Sequence, residues 1–424
     1  MRLVPMTRRR RFLENMTSLM VVQFANYVIP LVSFPYLVRM LGVGNFGLMS
    51  YAMALVQYFV VFVDYGFNLS ATRRIAIQRD DRRQLAATFW TVMTIKLCLL
   101  IVGFAVFATL VMLVPRLRLD WLTYAIAFVA VVGNFLFPIW YFQGIERIKI
   151  LSLINLATKI VFTASLLLLV KGPDDLHTAI LLQSSSVIFS GLVALGLIAR
   201  LYPVPWHLPT VAEISALLLE GWVVFVSILS SSLVNNTGVI ILGMFANNQA
   251  VGAFSIAEKI IRIFINVCTP ISTALFPQAS ALFEQSTDQA VAVMRTVLRY
   301  GAVLFGMICA AILVGADVLV RIVAGGDNPA IATMVRIMAL TPLTVFIDNL
   351  YGTQVLINIG QARKFMTAII AAGIVSVSAA LLVVPFWKGM GTAAVFMVSE
   401  GCVLVLMVAF VRQQGIFLVK DGWV

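Results

Sequence analysis

Long apolar runs dominate the chain, and no water-soluble fold could bury them all. Twelve follow one another, at approximately 14–38, 45–64, 86–114, 121–143, 150–170, 177–199, 214–245, 251–280, 294–320, 331–358, 365–386 and 390–411. A helix needs about 20 apolar residues to cross a hydrocarbon core of about 30 Å. In lipid, every backbone N–H and C=O must be satisfied within its own segment, so runs of this length predict helices. Barrel strands would alternate over about 10 residues instead. Composition agrees: 61% of the 424 residues are hydrophobic and 11% are charged, against roughly 25% charged in soluble domains. The expected fold class is an all-α integral membrane protein.

The net charge of +12 would suggest nucleic acid in a soluble protein. Here its distribution points to topology. Of the 30 lysines and arginines, 19 fall on one side of the alternating loops and 6 on the other. A bias of this kind marks the cytoplasmic face, so both termini are expected to be cytoplasmic, in a bacterial inner membrane, with no nucleic-acid partner. Arg2 and Arg8 to Arg11 precede an apolar run too long for a signal peptide, which reads as an uncleaved first helix. Cys98, Cys268, Cys309 and Cys402 each lie inside an apolar run without C-x-x-C spacing, which argues against a disulfide or zinc framework. There is no Walker-type, H-E-x-x-H or dinucleotide motif, so no cofactor is expected. The longest loops, 65–85 and 200–213, are too short for a catalytic domain.

A weak internal repeat relates the halves. Gly47-Leu-Met-Ser50-Tyr-Ala52 opens the second run and Gly252-Ala-Phe-Ser255-Ile-Ala257 opens the eighth. Gly144-Ile-Glu-Arg147 closes the fourth and Gly360-Gln-Ala-Arg363 the tenth. Parallel repeats around a midplane site are a transporter signature. We therefore expect two six-helix bundles, 1–200 and 214–424, joined by a cytoplasmic linker at 201–213, around a central cavity.

Charges within membrane spans are costly and usually face a cavity or a partner. Ser255, Lys259, Arg262, Asn266 and Thr269 step by three and four, which places them on one helix face. Glu258 lies four residues before Arg262 and can pair with it. Two readings stand: a self-neutralised structural pair, or a cationic face lining a water-filled cavity. Lys159 shares a face with Ser152, Asn155 and Thr163, and Lys96 sits midway along its span; either could line a cavity or bond between helices. Asp348 shares a face with Thr341, Thr344 and Tyr351, as a counter-ion or a protonatable coupling group. Asp64 lies at the end of the second span, where Arg73 and Arg74 are the nearest candidate partners in sequence. Arg39 lies in the turn between the first two spans, on the outer side. Gln23, Asn26, Pro30 and Ser33 form a polar face on the first span. With more bases than acids noted in the spans, the cavity suits an anion, and Arg and Lys are the usual partners of phosphate oxygens.

The stretch from Asn26 to Arg74 carries a resemblance. Its Asn26-Tyr27, Pro30-Leu31, Pro35-Tyr36-Leu37, Arg39, Leu41-Gly42, Phe46-Gly47 and Asp64-Tyr-Gly-Phe-Asn-Leu-Ser-Ala-Thr-Arg73 resemble the Wzx-type O-antigen flippases. These share a superfamily with multidrug and toxin extrusion proteins and lipid II flippases. Pro138-Ile-Trp140-Tyr-Phe-Gln-Gly144 with Glu146 extends the match, as do Val251-Gly252 through Lys259, Pro270 and Phe276-Pro277. The resemblance implies a flippase that moves undecaprenyl-pyrophosphate-linked oligosaccharide from the cytoplasmic to the periplasmic leaflet by alternating access. It implies membrane lipid as a partner, with a polysaccharide polymerase and a chain-length regulator as candidate partners. By position, Lys259 and Arg262 best fit the family's cavity charges, followed by Asp348 and Arg39. Lys96, Lys159 and Asn266 complete the expected cargo-binding set, with Glu258 and Asp64 as coupling or counter-ion groups. The rivals are a multidrug-type exporter, whose cationic cargoes suit these bases poorly, and a membrane polymerase or glycosyltransferase, which usually needs a long outer loop.

Overall fold

The computed structural model describes residues 8–418, with side chains from Ile29 onward except at position 234. The polar face at Gln23 and Asn26, the match at Tyr27, and the terminal charges Arg2 and Lys420 lie outside the described side chains. Among the described residues the chain is helical without strands. Among the described residues, ten stretches are long and apolar enough to cross a bilayer.

Helix α1 (Arg8–Asp64) breaks at Gly42, whose φ of 75° and ψ of 164° are not helical. It therefore holds the first two expected spans. Helix α2 (Phe67–Gln78) follows a turn at Tyr65 and Gly66 with φ of 47° and 77°. It occupies the basic stretch expected to be a loop. Phe67, Ala71 and Ile75 recur at four-residue spacing and are buried, while Leu69 and Ile77 are exposed. One sided burial makes this loop a helix.

Helix α3 spans Arg82–Leu113, α4 Pro115–Leu119 and α5 Trp121–Leu136. Pro138 has no N–H to continue α5, and the fourth span resumes as α6 (Ile139–Gly144). Helices α7 (Ile148–Leu169) and α8 (Leu176–Leu201) complete the first half. Helix α9 spans Val211–Phe245. The eighth span is two helices, α10 (Asn248–Ile265) and α11 (Cys268–Gln285). Then come α12 (Thr287–Ala324), α13 (Pro329–Ile337) and α14 (Thr341–Asn349). A π-helical turn, Leu350–Leu356, continues α14. Helix α15 (Ala362–Arg412) breaks at Lys388, with φ of 46° and ψ of −127°, and so holds the last two spans.

Contacts divide the chain into two units. The first comprises residues up to Leu41 with Ala52–Leu229; the second comprises Gly42–Tyr51 with residues from Ser230 onward. The first unit's core gathers Phe67, Phe89, Trp140, Tyr141 and Phe142 with Leu217 of α9. The segment before α9 is tied to α3: Trp90 Nε1 donates to the Pro205 carbonyl at 2.9 Å, and the Trp90 and Trp206 rings lie 4.2 Å apart. The second unit's core packs Tyr351, Val355 and Leu356 against Ala368, Ala372, Val403 and Met407.

The two halves of the sequence repeat touch. A Cβ added at Gly47 would overlap the Asn248 carbonyl and the Gly252 backbone. One added at Gly252 would overlap the Val43 carbonyl. The repeat-related glycines let two backbones meet directly within the second unit.

Asp81 caps α3, accepting from the Arg83 and Gln84 main-chain N–H groups at 2.9 and 3.2 Å. The Gln84 and Arg83 bonds hold its carboxyl below the ordinary carboxylate range. A depressed folded-state value means the stabilisation is present at neutral pH and is lost as pH falls through that range. Asp81→Ala is expected to speed amide exchange at Arg83 and Gln84. Exchange rates equal to those of the unsubstituted protein would remove the cap from this account.

Candidate functional site

Charged side chains gather inside the helices of both units. In the first unit Lys96 is fully buried on α3. Its Nζ donates to Asp64 Oδ1 at 3.1 Å and to the Asn134 carbonyl at 3.3 Å. The other Asp64 oxygen accepts from Asn68 Nδ2 at 2.6 Å. Asp64 is therefore not paired with Arg73 or Arg74. The turn at Tyr65 and Gly66 redirects the chain, and Arg74 reaches Glu220 of α9 instead, at 3.5 Å. Lys96, with no exposed surface, ties the end of α1 to α3 and α5. Arg39 and Lys159 also belong to this unit; Arg39 is exposed, Lys159 is half-buried, and other residues engage both.

In the second unit a cluster rises from α10. Glu258 is buried, and Lys259 and Arg262 are partly exposed. The helical spacing of four brings Arg262 onto Glu258: its Nε and Nη2 donate to Glu258 Oε1 at 2.8 and 2.7 Å. Asn235 of α9 accepts from the same guanidinium, which also lies 5.6 Å from the Phe396 ring centroid. Lys259 Nζ lies 4.8 Å from the Phe46 ring centroid. A cation over an aromatic face is attracted by the ring's quadrupole. Both bases are thus held by contacts that a phosphate could join or displace. Beyond Ile265 the helix is interrupted, so Asn266 lies exposed at the junction with α11 and the face from Ser255 to Thr269 is not one continuous stripe.

Asp348 lies in the same unit, with different neighbours from those its spacing suggests. It lines a cavity of about 200 Å³ with Glu400, Asn235, Ser231, Asn349 and Thr353. Neither Lys259 nor Arg262 is among the lining residues, and the two charged groups that line it are acidic. Tyr351, expected on Asp348's face, is buried in the apolar core instead. The π-helical turn has more residues per turn than an α-helix, so Thr353 faces the cavity. Glu400 and Asn235 were not singled out from the sequence. Glu400 carried the same signal as Asp348, a lone acid in an apolar run. Asn235 lies in a polar run, Ser230-Ser231-Ser232-Leu-Val-Asn235-Asn236-Thr237.

Residues 12–283 match the family model described as polysaccharide biosynthesis protein. A protein of Escherichia coli (strain K12), named as an O-antigen transporter, is 31% identical over 95% of this chain and 97% of its own. A protein of Shigella dysenteriae with the same name is 25% identical over 94% of this chain and all of its own. Among solved structures, the lipid II flippase MurJ in an inward closed conformation has a TM-score of 0.73. It covers 93% of this chain and 87% of its own at 11% identity. An inward-facing multidrug resistance MATE family transporter of the MOP superfamily has a TM-score of 0.65, covering 93% of this chain and 99% of its own at 13% identity. These two likenesses carry the fold. The family model covers well over half of the chain and the Escherichia coli relative nearly all of it: this multi-pass membrane protein belongs to the polysaccharide biosynthesis protein family.

Proposed function

We propose that the chain is a flippase for undecaprenyl-pyrophosphate-linked oligosaccharide repeat units, carrying them from the cytoplasmic to the periplasmic leaflet of the bacterial inner membrane by alternating access. The observation that carries this reading is the full-length similarity to proteins named as O-antigen transporters. The geometry of α10 fits it. Lys259 and Arg262 supply two partly exposed bases beside one carboxylate, and a diphosphate is the anion such a pair would hold. The sugars would ride in water and the polyprenyl tail would stay in lipid. Both termini stand on the cytoplasmic side in this reading, which the loop charge bias supports. A multidrug exporter shares the fold, but the α10 bases would repel a cationic drug.

The test uses the parent bacterium with the gene deleted. Surface polysaccharide should be lost, and complete lipid-linked repeat units should accumulate on the cytoplasmic leaflet. Plasmid-borne wild type should restore the surface, and Lys259→Ala/Arg262→Ala should fail to do so while inserting at a normal level. Single repeat units reaching the surface without polymerisation would make the chain a polymerase and overturn the reading.

A further inference from the structure

Arg262 is held from two sides, and the second side has a consequence for how it would release or take an anion. Asn235 Oδ1 accepts from Nη1 and Nη2 at 3.4 Å each, and the Asn235 carbonyl accepts from Nη2 at 3.5 Å. These bonds sit at the long limit of hydrogen-bond geometry. The two bonds to Glu258 are much shorter. A phosphate oxygen, an ionised acceptor, would therefore displace Asn235 in preference to Glu258.

Asn235 also faces the other way. It lines the cavity that holds Asp348 and Glu400, and its Nδ2 donates to the Ser231 carbonyl at 2.8 Å. Phe396 stands one turn before Glu400 on α15 and lies against the Arg262 guanidinium. Phe396 and Glu400 are four residues apart on α15, and Asn235 touches Arg262 and lines the cavity with Glu400, so the guanidinium and the Glu400 carboxyl are neighbours without a direct ion pair between them. The charged groups around this point are Glu258 and Lys259 from α10, Asp348 from α14 and Glu400 from α15. The charged residues of α12 and α13 are Asp288, Arg295, Arg299, Asp317, Arg321 and Arg336.

We propose that Asn235 is a positioning residue that holds the Arg262 guanidinium toward the Asp348–Glu400 cavity, so that the Glu400 carboxylate competes with an incoming diphosphate for one cation. The proposal rests on the reading of Arg262 as a diphosphate ligand. It assigns Glu400 and Asn235 a joint role: the carboxylate supplies the competing charge, and the amide keeps the guanidinium within its reach.

Purified full-length protein in detergent, titrated with farnesyl diphosphate as the probe, tests this. Glu400→Gln removes the competing charge and is expected to tighten binding roughly five-fold or more, the scale of an ordinary coupling between sites. In an Asn235→Ala background the same Glu400→Gln change should act less than about two-fold, because the guanidinium is no longer held within reach. A merely structural Asn235 would change affinity without altering the Glu400→Gln ratio. If Asn235→Ala does not purify as folded protein, Asn235→Ser, too short to reach the guanidinium, makes the same comparison. Equal Glu400→Gln ratios in both backgrounds, or no tightening by Glu400→Gln, would overturn the proposal while leaving the diphosphate site standing. Arg262→Ala with undiminished binding would remove the diphosphate site itself, and the proposal with it.

Discussion

Lys96→Met is expected to destabilise the folded protein by about 3–5 kcal/mol, the usual consequence of removing one partner from a buried ion pair. Lys96 has 0% exposed surface and the Asp64 side chain 13%. Without the ammonium, the Asp64 carboxylate keeps the single hydrogen bond from Asn68. The Asn134 carbonyl loses the ammonium at the same time and keeps only the Phe137 main-chain N–H. An uncompensated carboxylate in that position is much worse than no carboxylate at all. The double variant Asp64→Leu/Lys96→Met should therefore recover most of the loss, since well-packed apolar residues often replace a buried pair at little cost. Unfolding in detergent, followed by tryptophan fluorescence, gives the comparison. A single variant as stable as wild type, or a double variant as unstable as the single, would show that the pair does not hold α1 to α3.

Gly252→Val is expected to be nearly as damaging. Overpacking a tight contact typically costs about 1–3 kcal/mol, and more when the neighbour cannot move. Here the neighbour is a backbone carbonyl, that of Val43, on a segment that itself approaches through Gly47. No rotamer change relieves it, so about 3 kcal/mol or more is the expected loss. Gly306 is the internal control. It lies within α12 with nothing within 4 Å of a Cβ placed there. Gly306→Ala should be neutral or stabilise by about 0.5–1 kcal/mol through helix propensity. Melting of the two variants side by side decides the matter: equal midpoints would mean that the glycine contact is not part of the folded protein.

The crossings were readable because hydrocarbon imposes a length on every apolar run, and α3 and α7 correspond closely to the runs at 86–114 and 150–170. The interruptions were less readable. The breaks at Gly42 and Lys388 fall in the gaps between expected runs, but those before Ile139 and after Ile265 fall inside the runs at 121–143 and 251–280, where a turn of one or two residues leaves hardly any mark on hydropathy. The partner of Asp64 was hidden for a different reason. Arg73 and Arg74 are close in sequence, but Tyr65 and Gly66 rotate α2 so that Arg74 meets Glu220, while Lys96 approaches from 32 residues away. The Glu258–Arg262 pair was legible because a helix brings residues four apart together whatever surrounds it. Asp348's surroundings were not, because a π-helical turn breaks the period of 3.6 on which the face had been drawn. Glu400 went unremarked in its apolar run, and with Asp348 it makes the cavity lining acidic.

The division of the chain between its units also sets an order of assembly. Residues 42–51 belong with the second unit, and residues 211–229 with the first. Domains emerging from the ribosome generally fold as units, the N-terminal one first. Here that order is modified by the exchanged segments. The first unit lacks Leu217, part of its core, until synthesis has reached α9. The segment around Gly47 must wait still longer, its backbone face uncovered, until α10 is made and Gly252 arrives. Insertion into the membrane can follow the order of synthesis, but the first unit can close only once α9 is made, and the second only once the chain beyond it has been translated.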